Sequence, residues 1–456
     1  MTAALGQFAA TAGLALAAFG ATASALGAGR CSPALVRCGR MAAVMLLPLA
    51  LIGVAVLVTA LLRHDFSFAY VAANGSRDTP AFYSAIGLWG SLEGSILLWV
   101  AVLAAFIAAT ALLGPRRAPD LFPVAQAVML VVAAFFFWLI AGPASPFETI
   151  SPAPADGRGP LPLLQNHPLM AIHPPLLYVG LVGFTVPFAF AIAALVTGRL
   201  DDRWIAVTRG ATFVAWAFLA LGIVLGGAWS YAVLGWGGYF AWDPVENVSL
   251  LPWFTATAFI HSVMVQEKRG MLKLWNLTLV VATFALTLLA TFLTRSGVLS
   301  SVHAFAEGVV GPALLAFIGV VLAVSAGLLV WRGERLRSEG ELDAPVCRES
   351  AFLLNNLLLV GITLTVLIGT LFPLLAEALD GSRLSVGEPY FNATAAPVML
   401  ALLFLMGVGP ALPWRRASAA AVRRRLLWPA AGAVAGTAGE LDTRIKAALQ
   451  ELARSR

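Results

Sequence analysis

Three histidines are the residues with the clearest capacity for metal or proton chemistry. The chain has five histidines in 456 residues. His173 opens the stretch HPPLLYVG, His303 lies in TRSGVLSSVHAF, and His261 lies within a long apolar run. Neutral imidazole binds transition metals, and its charge changes near physiological pH. Each position is therefore a candidate ligand or proton-transfer site, although a single loop histidine is more often only a polar surface residue.

A segment rich in aromatic residues, 229–253, separates two of these histidines in the sequence. It interleaves tryptophans and tyrosines with glycines and carries two carboxylates, Asp243 and Glu246. Trp and Tyr gather at membrane interfaces, which explains some of these rings without any ligand. Glycines let a backbone approach a partner closely, as binding of a flat polarisable ligand would require. From the residues alone, both interpretations stand.

Two histidines at one surface favour the ligand interpretation. His173 and His303 both fall in connections predicted to lie on the same side as the aromatic segment. Pro174 and Pro175 suit the first turn of a helix, which would fix His173 at the mouth of a span. Two imidazoles beside an aromatic platform are what a haem iron with axial nitrogen ligands requires.

The composition identifies the protein as an integral membrane protein. It is 60% hydrophobic and 11% charged, whereas soluble domains have about a quarter of charged residues. Runs long enough to cross about 30 Å of hydrocarbon predict an all-α, polytopic membrane helix bundle of about eleven transmembrane spans. On the ligand interpretation, its external loops would bind haem. The predicted spans are 6–28, 41–62, 93–113, 121–141, 174–197, 209–228, 250–266, 275–293, 309–331, 352–373 and 395–413.

Lys and Arg residues orient these spans. Most of them fall in alternate connections, which stay cytoplasmic, so the N-terminus and the aromatic segment are predicted to face outward. The net charge of +6 therefore reflects topology, and the scattered basic residues make no nucleic-acid surface. No Lys or Arg precedes Arg30, so residues 6–28 are predicted to be an uncleaved span and not a signal peptide.

His261 falls inside the seventh predicted span. It lies roughly 13 Å from Pro252 and roughly 7 Å from Gln266 along the helix. An ionisable residue at such depth is by default a functional hypothesis, and a neutral histidine bonded to a neighbouring helix is the structural alternative. Residues 1–414 are predicted to form the membrane domain, and residues 415–456 a basic segment followed by a short amphipathic cytoplasmic tail.

Several stretches together resemble one known family. GWGGYFAWDPVENVSLLPW resembles the tryptophan-rich signature of haem-handling proteins of cytochrome c biogenesis. The stretches HDFSFAYVAAN, LWGSLEGSILLWV, SPFE, HPPLLYVG and FLTRSGVLSSVHAF narrow the resemblance to the haem lyase subunit of maturation system I, the CcmF family. The resemblance extends from the N-terminus to about residue 414.

The resemblance implies two haem sites. His173 and His303 would bind the iron of a substrate haem at the periplasmic face, and His261 would be one of two intramembrane ligands of a permanent haem b. The residues expected to contact the substrate haem are Trp236, Gly237, Gly238, Tyr239, Trp242, Asp243, Glu246 and Arg295. The implied reaction is thioether attachment of reduced haem to an apocytochrome c C-x-x-C-H motif, carried out as part of a cytochrome c haem lyase complex.

The same resemblance implies the partners and the location. The partners would be a haem chaperone, apocytochrome c, thiol-reducing and apocytochrome-binding maturation subunits, and quinol as electron donor. The location would be the bacterial inner membrane, with the active face periplasmic. An alternative from the transport and binding classes is a haem exporter or a haem-binding platform subunit without ligation activity of its own.

The sequence departs from the family at its second intramembrane ligand. No histidine follows His303, and the last third of the family architecture has no counterpart. Truncation, a split gene whose second polypeptide supplies the ligand, or divergence to a protein without haem b would each explain this. The unrelated sequence after Trp414 favours truncation or splitting.

Overall fold

Long apolar helices make up nearly all of the structure. The computed structural model describes residues 2–160, 167–234, 237–295, 309–337, 342, 344–382, 384–415, 418, 420 and 422–436. The helices are α1 (Thr2–Gly29), α2 (Pro33–Leu62), α3 (Ala69–Asn74), α4 (Ala81–Ile86), α5 (Leu92–Arg117), α6 (Phe122–Ala141), α7 (Leu169–Gly183), α8 (Thr185–Thr197), α9 (Arg203–Val233), α10 (Pro244–Arg269), α11 (Lys273–Arg295), α12 (Val310–Arg332), α13 (Arg348–Asp380) and α14 (Glu388–Val408). Short 3-10 turns are Gly87–Trp89, Gly333–Leu336 and Gly409–Ala411.

The prediction of an all-α bundle with eleven spans is confirmed. Eleven helical segments of the described chain are long and apolar enough to cross a membrane, and α7 and α8 together form the fifth. Helices are the expected solution because every backbone polar group must find a partner where no water is present. Within the described residues the one bridge between extended segments joins Phe68 and Thr149.

The first helix is held by a row of glycines. Gly6, Gly13, Gly20 and Gly27 are all buried and recur every seven residues along α1. A Cβ at Gly13 would overlap the Phe137 ring of α6. Lipid tails are as apolar as side chains, so close van der Waals contact through small residues drives association of membrane helices. The glycine row lets α1 pack directly against α2 and α6.

Ion pairs and hydrogen bonds join the ends of the helices predicted to be cytoplasmic. Asp120 accepts from Arg199 at 2.8 Å and from Arg203 at 3.3 Å. The buried carboxylate of Glu349 lies 3.7 Å from Arg269 and accepts from the amide of Arg415 at 3.0 Å. Polar residues are costly inside hydrocarbon, so these contacts mark the level where the helices leave the membrane.

The connections at the opposite end pack on one another. The connection between α2 and α5 pairs through backbone hydrogen bonds with the one between α6 and α7, as in Ala69 N–H to the Glu148 carbonyl at 2.9 Å. Asp156 accepts from the Arg77 amide at 2.9 Å, which holds the pKa of Asp156 below its usual range. This end is therefore an ordered layer built on the helices, as expected for the functional side.

The described residues after Trp414 contain no twelfth span. Residues 422–436 form an exposed helix, which is shorter than the eleven spans. The amphipathic tail expected further on lies outside the described residues. The proposed boundary at residue 414 stays a prediction.

The glycine row yields a test of helix packing. We expect Gly13→Ala to destabilise the protein by about 1–3 kcal/mol, since overpacking forces side chains and backbone to shift. The measurement is the midpoint of thermal unfolding in detergent. Gly319→Ala in α12 is the matched control, because no atom lies within 4 Å of the position that its Cβ would take. Equal midpoints for the two variants would contradict the packing assignment.

Candidate functional site

A cavity lies at the end of the bundle predicted to face outward, where five spans meet. It has a volume of about 110 Å³. Its lining includes His173 from α7, Trp229 from α9, Glu246 at the start of α10 and Arg295 at the end of α11. Three residues predicted for one site, namely His173, Glu246 and Arg295, are thus brought together by the fold.

The helix that carries His173 begins earlier than expected. It starts at Leu169, so His173 lies in its second turn and the two prolines lie inside the helix. The prediction that the prolines occupy the first turn is wrong. A proline at 174 cannot donate to the carbonyl of Met170. The indole N–H of Trp89 donates to that carbonyl instead, at 3.0 Å.

A backbone carbonyl sets the tautomer of His173. Its Nδ1 lies 2.7 Å from the carbonyl oxygen of Gly222 on α9. A carbonyl can only accept, so Nδ1 carries the proton and Nε2 of the neutral ring carries the lone pair that a metal needs. Metal-binding histidines typically donate their other N–H in this way. Gly226 makes room, because a Cβ there would lie 2.5 Å from His173 Cε1.

A chain of contacts fixes the position of this helix from the outer loops. Tyr70 donates to the carbonyls of Gly87 and Leu88 at 2.7 and 3.0 Å. Burial, with a smaller effect from Glu93, raises the pKa of Tyr70 above its usual range, so its hydroxyl keeps the proton it donates. Tyr70 thus holds the 3-10 helix Gly87–Trp89. Trp89 of this helix donates to the Met170 carbonyl at the start of α7.

Arg295 supplies positive charge to the cavity. Its Nη2 donates to the hydroxyl of Tyr178 on α7 at 2.7 Å. A guanidinium presents several N–H donors in a planar fork, which suits carboxylate oxygens. The arrangement can hold a carboxylate group of a ligand near a nitrogen ligand for its metal.

The two carboxylates of the aromatic segment cap a helix. Asp243 is the N-cap of α10 and accepts from the amide of Val245 at 3.0 Å. Glu246 accepts from the amides of Ala241 and Asp243 at 2.8 and 3.3 Å. Such a reciprocal capping box satisfies helix amides that would otherwise lack partners. Capping therefore accounts for both residues, and their predicted contact with haem stays a prediction.

Trp242 packs away from His173, against α14. Its ring stacks on Phe391 at a centroid distance of 5.1 Å, and its indole N–H donates to Asn392 at 2.8 Å. The backbone carbonyl of Trp242 accepts from Asn247 at 3.1 Å. Trp242 thus joins the aromatic segment to α14, and its predicted contact with haem stays a prediction.

The remaining loop residues lie at the surface. Tyr239 is 63% exposed and stacks on Tyr231 with ring centroids 4.6 Å apart. Gly237 has a φ of +73°, a conformation that favours glycine, and a Cβ added there would meet no atom within 4 Å. Gly238 is similarly open. Trp236 and His303 lie outside the described residues, so their predicted roles have no structural account.

His261 lies at a separate, deeper level. It is 15 residues beyond Glu246 in α10, which corresponds to roughly 22 Å. The side-chain amide of Asn355 on α13 donates to its Nδ1 at 2.8 Å, and the Phe352 ring stacks on it at 5.4 Å. An acceptor Nδ1 leaves the proton of the neutral ring on Nε2. The described residues therefore do not form a complete haem b site with two axial histidines.

Sequence reasoning missed the groups that orient His173. The residues that position His173 and its helix are Gly222, Gly226 and Trp89. Of these, only Trp89 lies in a stretch that carries the resemblance. The spacing of Gly222 and Gly226 by four residues was an available signal, since small residues at that spacing mark close contact between membrane helices. Asn355 carried no comparable signal.

Comparison with known proteins identifies relatives of this chain. A family model described as cytochrome C assembly protein matches residues 89–299. The chain is 44% identical to the cytochrome c-type biogenesis protein CycK of Rhizobium meliloti (strain 1021), over 94% of this chain and 63% of that protein. It is 45% identical to the protein CcmF of Escherichia coli (strain K12), over 82% of this chain and 58% of that one.

A solved structure agrees with these matches. The structure of the cytochrome c heme lyase CcmF is similar with a TM-score of 0.75 and 38% identity, over 92% of this chain and 63% of that chain. The chain thus spans less than two thirds of the length of these relatives. With eleven spans, a similar fold and identity above 40% to CcmF and CycK proteins, this chain belongs to the CcmF family of cytochrome c-type biogenesis proteins.

Proposed function

We propose that this chain presents reduced haem at the periplasmic surface of the inner membrane for covalent attachment to apocytochrome c. The observation that carries the proposal is the geometry of His173. Its Nδ1 faces the Gly222 carbonyl at 2.7 Å, which orients Nε2 as a ligand for iron at a cavity that also contains Arg295. His173 would supply an axial imidazole, and Arg295, which lines the same cavity, would pair with a haem propionate.

The size of the cavity favours presentation over storage. Pockets that enclose a cofactor measure about 300–1,000 Å³, whereas this cavity measures about 110 Å³. A haem bound through His173 would therefore extend beyond the cavity toward the aromatic segment. Its vinyl groups would remain accessible to an apocytochrome held at the membrane surface.

The reaction needs orientation more than it needs catalytic groups from this chain. Each cysteine S–H of the C-x-x-C-H motif adds across one vinyl C=C bond. A C–S bond forms at the carbon next to the ring, and a hydrogen is added to the terminal carbon. No atom leaves, and thiols and iron must both be reduced. Holding the partners in place converts the addition into an intramolecular step.

His303 is proposed as the second axial ligand. It follows Arg295 by eight residues, and eight extended residues reach at most roughly 28 Å. Because Arg295 lines the cavity that contains His173, His303 is within chain reach of the opposite face of the same haem. Trp236, Gly237, Gly238 and Tyr239 are proposed to cover the part of the haem outside the cavity.

His261 is proposed to contribute at most one ligand to a resident haem b. A second ligand would be needed beside it, and Asn355 would have to turn its amide so that its oxygen accepts from Nδ1–H. Within this chain, His261 is instead held by Asn355 and Phe352. No electron transfer step is assigned to His261, and quinol as a donor stays a prediction from the resemblance.

Positive charge and loop packing support a periplasmic active face. The ends that carry Arg199, Arg203 and Arg269 would face the cytoplasm, which leaves the cavity on the periplasmic side. Family membership implies other cytochrome c maturation subunits as partners. We propose a haem chaperone and a thiol-reducing, apocytochrome-binding subunit among them, because the reaction consumes reduced haem and reduced thiols.

The second candidate function is a haem-binding platform without ligation of its own. It is favoured by the contacts of His261 with Asn355 and Phe352, which assign no electron-transfer step to this histidine. Complementation separates the two. If this chain alone restores covalent cytochrome c in a strain that lacks its lyase, the platform function is excluded. Haem bound by the chain without attachment would exclude ligation by this chain alone.

The axial ligands are tested by haem content. We expect His173→Ala/His303→Ala to lose roughly tenfold or more of the haem that purifies with the detergent-solubilised chain, because both axial nitrogens are removed. The measurement is the Soret absorbance together with a haem-to-protein ratio. His261→Ala is the matched control and is expected to keep its haem. Loss in His261→Ala alone would reverse the assignment of the two sites.

The role of Gly226 on α9 can be tested by a substitution that leaves both proposed haem ligands in place. We expect Gly226→Ala to lower haem affinity roughly tenfold, since the new Cβ would lie 2.5 Å from His173 Cε1 and displace the imidazole. Gly210→Ala is the control in the same helix, because the added methyl group would have no neighbour within 4 Å. Titration of ferrous haem monitored by absorbance measures both. Unchanged affinity in Gly226→Ala would contradict the proposed position of His173.

A further inference from the structure

A second, much larger cavity opens at the opposite end of the bundle. It has a volume of about 1180 Å³ and lies between α6, α8 and α12, with the α1–α2 connection at its mouth. Its walls are almost entirely aliphatic and aromatic, and Arg37, Arg40 and Arg199 stand at the mouth. None of the residues assigned to the haem site lines this groove.

The groove has the depth of one membrane leaflet. On α6 its lining runs from Phe122 at the cytoplasmic end to Val132, a distance of roughly 15 Å. Half of the hydrocarbon core measures about the same. The deep end is closed near Phe317, which stacks on Phe135 with ring centroids 4.1 Å apart. The groove therefore begins at the cytoplasmic interface and stops near the middle of the membrane.

Polar contacts brace both walls. Arg332 of α12 donates to the carbonyls of Leu195 and Val196 at the end of α8, at 2.8 and 2.9 Å. On the other side, Gln126 of α6 donates to Ser24 of α1 at 2.7 Å. Because these contacts join neighbouring helices directly, the space between the walls is set by the fold.

The mouth of the groove is basic. Asp120, the one acidic residue in the lining, already pairs with Arg199 and Arg203. Arg37 and Arg40 line the mouth, and neither forms an ion pair within the described part of the chain. Positive charge thus remains at the level where lipid phosphates lie. In the groove itself, the Ser325 hydroxyl is buried and has no hydrogen-bond partner among the described residues.

We infer that this groove binds one anionic diacyl phospholipid of the cytoplasmic leaflet. The acyl chains would fill the space between α6, α8 and α12, and the phosphate would bind Arg37 and Arg40. Basic pockets between membrane helices on the cytoplasmic side suit such headgroups. A quinol fits less well, because its neutral ring at the mouth would give Arg37 and Arg40 no negative charge to pair with, and its ring placed at the deep end would meet only Phe317, Phe188 and Val132.

Lipid retention tests the inference directly. The purified chain, stripped of lipid in detergent, would be titrated with phosphatidylglycerol or phosphatidylcholine and examined by native mass spectrometry. We expect one phosphatidylglycerol per chain. Arg37→Gln/Arg40→Gln should weaken this binding roughly thirtyfold and leave phosphatidylcholine unchanged. Arg423→Gln/Arg424→Gln removes the same charge elsewhere on the cytoplasmic side and should have no effect.

A second pair of variants tests the acyl site. Val320→Trp would fill the groove and should abolish retention of phosphatidylglycerol. Val330→Trp is the control, because Val330 lies on the same helix and is 83% exposed outside the groove. Retention by Val320→Trp equal to that of the unmodified chain would overturn the inference. Equal affinity for the two lipids, or quinone recovered from the groove in place of phospholipid, would overturn it as well.

The native cysteines provide an independent readout. Cys31 lines the mouth of the groove, whereas Cys38 is exposed and outside it. A bound headgroup should slow maleimide labelling of Cys31 relative to Cys38 in nanodiscs of phosphatidylglycerol, compared with nanodiscs of phosphatidylcholine. In Val320→Trp the ratio of the two rates should be the same in both lipids. A ratio that does not depend on lipid in the unmodified chain would contradict headgroup binding at this mouth.

Discussion

Close approach of helix backbones through glycine is the interaction on which this bundle depends. Inside hydrocarbon, burial of apolar side chains gives little drive for association, so contact distance decides how well helices pack. Gly13 and Gly20 bring α1 against its neighbours, and Gly222 and Gly226 bring α9 against α7. A methyl group at most of these positions would overlap a ring or a neighbouring helix. The same contacts that hold the fold therefore leave no freedom in where the site residues lie.

The functional site is a direct product of this packing. His173 reaches the Gly222 carbonyl because two glycines of α9 present backbone where other residues would present side chains. The prolines that follow His173 release the carbonyl of Met170, and Trp89 of the outer loops binds it. Backbone groups thus determine the position and tautomer of the His173 imidazole and the docking of the loops beside it. A change of neighbouring side chains alters these backbone groups little.

The two ends of the bundle have different characters for physical reasons. At the end that carries His173, loops pack on loops, and Asp243 and Glu246 satisfy the first amides of α10. At the opposite end, some arginines pair with Asp120 and Glu349, Arg332 donates to carbonyls of α8, and Arg37 and Arg40 line the mouth of the groove. The first arrangement builds an ordered surface around the cavity that contains His173. The second leaves a groove with a basic mouth that reaches about the depth of one membrane leaflet. Its walls contain none of the residues that line the cavity with His173.

The sequence by itself determined the class of structure and the candidate ligands, because hydropathy and charge report how each segment partitions between water and lipid. Eleven spans, the predicted side of each connection and the choice of His173 as a candidate followed from one-dimensional patterns. Only the tertiary structure decided that Trp242 stacks on Phe391 and that His261 meets Asn355. The capping of α10 by Asp243 and Glu246 is a local arrangement whose spacing can be read from the sequence, although hydropathy does not report it. The contacts of Trp242 and His261 join residues through packing of separate helices, which is not encoded in hydropathy.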